Sequence, residues 1–177
     1  MDTAFSLDAK GRALTEAGKY QEAAAAFSAA LELDPGNPGL LYNRGEAHRR
    51  AGRSAEARAD LEAALAIEGE APDLLLALGL VSYEADDYPA ARAAYERALV
   101  LRSDYPEAWN DLGVVEFRSG DYAAARAAFE KAVALDPGYG EAWYNLADTY
   151  AELDLPRERK KAQARLAELG VEGGDEG

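Results

Sequence analysis

The sequence predicts an all-α protein, a solenoid of antiparallel helical hairpins, on three observations. Residues of one inward stripe sit at helical spacing: Trp109, Leu112, Gly113 and Glu116 fall at i, i+3, i+4 and i+7, and Tyr122, Ala125, Phe129, Ala132 and Val133 form a second stripe. Helix breakers divide the stripes, with Ser119-Gly120-Asp121 between them and Asp136-Pro137-Gly138 after them. The arrangement then recurs every 34 residues without a gap: Gly113 has counterparts at Gly79, Gly45 and Gly11, Ala125 at Ala91, Ala57 and Ala23, and Phe129 at Tyr95, Leu61 and Phe27.

Glycine inside a helix costs about 1 kcal/mol relative to alanine, so four at one phase need a packing reason. The expected reason is close approach of the two helix backbones at Gly113 and Ala125, with Phe129 and Trp109 filling the space beside them. Residues 4–37 form the first unit, with Ala4, Leu7, Gly11 and Leu14 on one helix and Tyr20, Ala23, Phe27 and Ala30 on the other. Its first helix has no expected neighbour on the N-terminal side, which leaves Phe5 available for contact with a second copy.

The second unit, residues 38–71, opens on Asn37-Pro38, a capping residue followed by proline at the first helical position. In the third, residues 72–105, Pro89 falls in the first turn of the second helix, and Ser103 or Asp104 is expected to cap the helix that follows. The fourth is residues 106–139, where Gly120 ends one helix and Asp121 caps the next. The fifth, residues 140–173, begins with Trp143, Leu146, Ala147 and Tyr150 and ends in a charged helix carrying Ala162, Leu166 and Leu169 on one side, as a terminal cap requires. Residues 174–177 read as an acidic tail.

The residues of the fourth unit resemble the tetratricopeptide repeat pattern, W-x2-L-G-x2-Y, A-x3-F and P at a period of 34. Trp109, Leu112, Gly113, Ala125, Phe129 and Pro137 match it, with Glu116 in the place of the first tyrosine, and the resemblance covers five units. It implies a right-handed superhelix whose first helices line a concave groove, and a scaffold or adaptor that binds a peptide segment of a partner. By that resemblance the groove contacts are Tyr42, Glu46, Arg49, Leu76, Leu80, Tyr83, Asn110, Val114, Phe117, Tyr144 and Asp148. Apolar members of this set would anchor a partner, unless they pack against the next unit instead.

A clamp for chaperone C-termini, known in one branch of the family, is not expected: its positions hold Asp8, Arg12, Asp73 and Ala77 in this chain, and only Asn43 fits it. The alternative role is self-assembly, end to end through Phe5.

Composition narrows the partners. Net charge is -14, from 33 acids against 19 bases, which disfavours nucleic acid and anionic membrane and favours a protein partner with basic and apolar character, or simply keeps the chain soluble. There is no cysteine and one histidine, His48, so no metal site or cofactor is expected, and His48 occupies the slot the family fills with tyrosine. No phosphate loop, activated nucleophile or rigid carboxylate pair is recognisable, so the chain reads as a non-enzyme. Neither a signal peptide nor a run of membrane-spanning length is present, and a cytoplasmic location is the expectation.

Overall fold

The computed structural model describes residues 2–171. Among them are ten helices and no strand: α1 (Ala4–Glu16), α2 (Tyr20–Leu33), α3 (Pro38–Arg50), α4 (Ser54–Glu68), α5 (Pro72–Glu84), α6 (Tyr88–Leu101), α7 (Pro106–Arg118), α8 (Tyr122–Leu135), α9 (Gly140–Glu152) and α10 (Pro156–Glu168). First helices start at 4, 38, 72, 106 and 140, the interval read from the sequence. The expected tail at 174–177 lies outside the described residues. The chain forms two compact units, Met1–Ala94 and Tyr95–Gly177, and α6 contributes to both.

In the first unit, Phe27, Leu61, Leu40, Leu74 and Val81 make one core with the small residues Ala23, Ala30, Ala57 and Ala64. A Cβ placed on Gly11 would stand 2.5 Å from the Phe27 ring, so α1 and α2 fit together only because that side chain is missing. Where Leu61 takes the place of phenylalanine, Gly45 instead faces the Ala57 carbonyl oxygen and Leu61 Cγ, both at 3.3 Å. This is the backbone approach the sequence leads one to expect.

The second unit packs Phe129, Ala125, Ala132, Leu146, Ala147, Tyr150 and Leu166 around the same design. Here the expectation needs correction. The atoms closest to a Cβ on Gly113 are all of the Phe129 ring, the nearest at 2.6 Å, so the glycine makes room for the ring rather than for a backbone. Trp109 is half-buried, and its indole N–H donates to the Ser103 carbonyl at 2.9 Å; Trp143 does the same to the Pro137 carbonyl at 3.0 Å.

Helix ends follow local chemistry. Asn37 accepts from the Leu40 amide at 3.2 Å and Asp121 from the Ala124 amide at 3.0 Å, capping α3 and α8 as expected. Ser103 and Asp104 do not cap α7. Its N-cap is Tyr105, without a side-chain bond; Pro106 at the first position has no N–H to satisfy, and the Trp109–Ser103 bond holds the entry instead. Gly18, Gly52 and Gly120 turn their hairpins at φ of 73°, 74° and 80°, whereas the third and fifth hairpins place Asp86 and Asp154 in this left-handed region at 58° and 54°.

Candidate functional site

The exposed faces of the first helices differ between the units. On the first, Tyr42, Glu46 and Arg49 project from α3, and Leu76, Leu80 and Tyr83 from α5, all partly buried. The Arg49 guanidinium donates to both Glu46 oxygens, at 3.1 and 3.0 Å, and reaches Glu84 on α5. Burial works against its charge, but the bonds and charges of Glu46 and Glu84 outweigh that and hold its pKa above the ordinary arginine range. Burial, aided by Glu46 and Asp73, pushes the Tyr42 hydroxyl up. Tyr83 rests against Tyr88 with ring centres 5.7 Å apart. Three charged groups thus answer one another on this face.

At the N-terminal end of the same unit, Asn43 donates to Asp8 at 3.1 Å, and Arg12 pairs with Asp8 at 2.7 Å. These residues and Phe5 line a shallow cleft of about 490 Å³, and Phe5 itself is 78% exposed.

The second unit brings Val114, Phe117 and Asp148 around one pocket of about 160 Å³, with Arg118, Phe129 and Asn145 completing its wall. Val114 and Phe117 also pack on the core, so they are neither free surface nor fully spent in packing. The Phe117 ring meets Tyr122 edge-on at 5.1 Å, which fixes its orientation. Tyr144 is exposed but does not line the pocket.

Asn110 does not offer the contact expected of it. Its side chain is wholly buried: it accepts from Asn145 at 3.0 Å and lies 3.4 Å from Glu141 and 3.5 Å from Asp111, so it ties α7 to α9 beneath the surface. Asn145 is not among the groove contacts that the resemblance implies, although Asn43 at the same phase points to it.

Around this asparagine pair the field is negative. Burial pushes the Asp111 carboxyl up to about 7 against the bond from Asn110, which lowers it, and the charges of Glu141 and Glu107 add to the rise. Burial followed by Glu141, Asp111, Glu107 and Asp136 raises the Tyr139 hydroxyl above its usual range. No lysine or arginine pairs with Glu107, Asp111 or Glu141 among the described residues.

His48 is buried on α3 with its Nε2 3.8 Å from Asp60, and burial lowers its pKa despite that carboxylate. Its surroundings are structural: Asp60 accepts two bonds from Arg44, at 2.8 and 2.6 Å, and Arg44 also reaches Ser28 at 3.2 Å. Among the described residues no group of histidine and carboxylate side chains could hold a metal ion, and no helix is long and apolar enough to cross a membrane.

Comparison with known proteins agrees with this geometry. One tetratricopeptide repeat model matches residues 9–74 and 76–140, and a second, of the same description, matches 116–175. The fold is similar to that of MamA, at 25% identity and a TM-score of 0.81 over 90% of this chain and 94% of that one. It is similar also to YrrB, described as a TPR protein with an unusual peptide-binding site, at 25% identity and 0.72 over 94% and 86%. Pseudomonas aeruginosa pilF, at 19% identity, shares the fold with a TM-score of 0.87 over 97% and 78%. No curated protein sequence matches the chain. The all-α solenoid class read from the sequence is thus the class observed.

Proposed function

The chain belongs to the tetratricopeptide repeat family, whose arrays generally serve as scaffolds for protein–protein interaction rather than as enzymes, and from that premise we propose that it binds a peptide segment of a partner protein on the exposed faces of its first helices. In this reading the five hairpins are one array, and the partner segment carries apolar anchors with basic flanks. The observation that carries the reading is the pocket lined by Val114 and Phe117, apolar side chains held half-open to solvent in a molecule of net charge -14. YrrB, similar in fold, supports it by analogy.

The test compares wild type with a Tyr83→Ala, Phe117→Ala variant in a pull-down from the source cell's lysate. A protein retained by wild type and lost with the variant, at unchanged helicity, is the expected result. The same set retained by both would overturn the reading. Phe5, at 78% exposure, favours a second reading in which copies join through α1. That reading requires mass to rise with concentration and to fall back to the monomer on Phe5→Glu.

A further inference from the structure

The charged and apolar groups of the second unit lie in a fixed order along two first helices. Val114 on α7 and Asp148 on α9 line the pocket, and Glu107 and Glu141 sit seven residues earlier on the same two helices. Seven residues are two helical turns, so each acid lies on the same helix face as the pocket residue that follows it, about 10 Å away along the axis. Asp111 and Asn110 fill the interval, and the Asn145–Asn110 bond joins the pocket wall to the acidic group.

A pocket near 160 Å³ suits one side chain, since cavities of roughly 150 Å³ hold a benzene-sized molecule. Beside it, Glu107, Asp111 and Glu141 have no cationic partner among the described residues, unlike Glu46 and Glu84, which share Arg49. An incoming cation would supply what Arg49 supplies in the first unit.

We infer, resting on the reading above, that the second unit recognises an extended peptide with one aliphatic or aromatic side chain in the Val114–Phe117 pocket and a lysine or arginine about three residues away on the Glu107–Glu141 carboxylates. The spacing follows from the geometry: about 10 Å along α7 is spanned by three residues of extended chain at roughly 3.3 Å each. The aromatic pocket supplies the anchor, and the carboxylates set which flank is accepted and in which direction the chain lies.

The probes are fluorescein-labelled nine-residue peptides in a Gly-Ser background, carrying leucine and arginine three positions apart, with controls in which leucine becomes alanine, arginine becomes glutamine, or the two are adjacent. Anisotropy at low salt is expected to show saturable binding of the first, weakened at least tenfold in each control. Amide shifts on the ¹⁵N-labelled protein should centre on Val114, Phe117, Asn145 and Glu141. A Glu107→Gln, Glu141→Gln variant, both exposed positions, should lose the preference for arginine over glutamine while keeping that for leucine over alanine.

Equal binding of the alanine and leucine peptides would overturn the inference, as charge alone would then explain attachment. So would shifts confined to Tyr42, Leu76 and Leu80, or absent from Val114 and Phe117 with every peptide. Shifts at those two residues that grow with protein concentration and no peptide would assign the pocket to a second copy, and overturn it as well. In each case a partner lost from the Tyr83→Ala, Phe117→Ala pull-down would leave the broader reading standing.

Discussion

The two units place different chemistry on the same helical positions. Shifted by two repeats of 34, Glu46 and Arg49 of the first unit correspond to Val114 and Phe117 of the second, and Arg44 and Asp60 to Leu112 and Ala128. In the first unit charged groups answer one another, on the face through Arg49, Glu46 and Glu84 and beneath it through Arg44, Asp60 and Ser28. In the second the same places are apolar, and Glu107, Asp111 and Glu141 pair with no lysine or arginine among the described residues. The small-residue ruler of glycine and alanine is common to both. Fold therefore resides in the residues that recur, and the chemistry of the exposed faces in those that do not.

The difference between the units is tested most directly by converting the interior of the first into that of the second. Asp60→Ala alone leaves Arg44 short of its two carboxylate bonds in a half-buried site, and should cost roughly 3 kcal/mol in chemical denaturation. Arg44→Leu combined with Asp60→Ala reproduces Leu112 and Ala128, and should recover most of that loss, because an apolar pair needs no desolvation of charge. If the double variant is as unstable as the single one, the two interiors are not equivalent designs.

A smaller effect separates the units by pH. Asp111 stays protonated up to about 7 in the folded chain, while an aspartate in the unfolded chain ionises at about 4. The folded state therefore binds the extra proton between those values. Its stabilising contribution is complete below about 4 and is lost as pH rises toward 7 and beyond. Asp111→Asn should stabilise the protein by roughly 2 kcal/mol at pH 8 and leave it nearly unchanged at pH 4, measured by denaturant titration at both. Asn43, its counterpart in the first unit, already carries the neutral amide, so Asn43→Asp should show the opposite slope.

How much of this was legible beforehand depends on whether a residue acts within one hairpin or across two. Gly11, Gly113, Phe27 and Phe129 announce themselves by recurrence, and the hairpin starts at Pro38, Pro72 and Pro106 by their prolines. Asn110 shares a phase with exposed Tyr144, and only the bond from Asn145, 35 residues on, draws it into the interior. The Arg49–Glu84 and Asn43–Asp8 contacts also join adjacent first helices 35 residues apart, a partnership that spacing within one helix does not reveal. Whether Val114 and Phe117 border a pocket depends on what stands opposite, Asp148 and Asn145, and so on packing rather than pattern.

The turns provide the finest test, because here the units should be interchangeable where their faces are not. Gly52 and Gly120 occupy the left-handed region at no steric cost, while Asp86 and Asp154 hold it against their own Cβ. Asp154→Gly removes that strain but gives the unfolded chain more freedom, and the two terms differ by little. A gain of about 0.5 kcal/mol is expected, read as a rise of roughly 1 to 2 °C in Tm. Asp86→Gly should gain less, since Asp86 also accepts a bond from the Tyr88 hydroxyl at 2.9 Å, which glycine cannot replace. A larger gain at Asp86 than at Asp154 would mean that the tyrosine bond contributes nothing, and that the turn of the third hairpin is set by backbone strain alone.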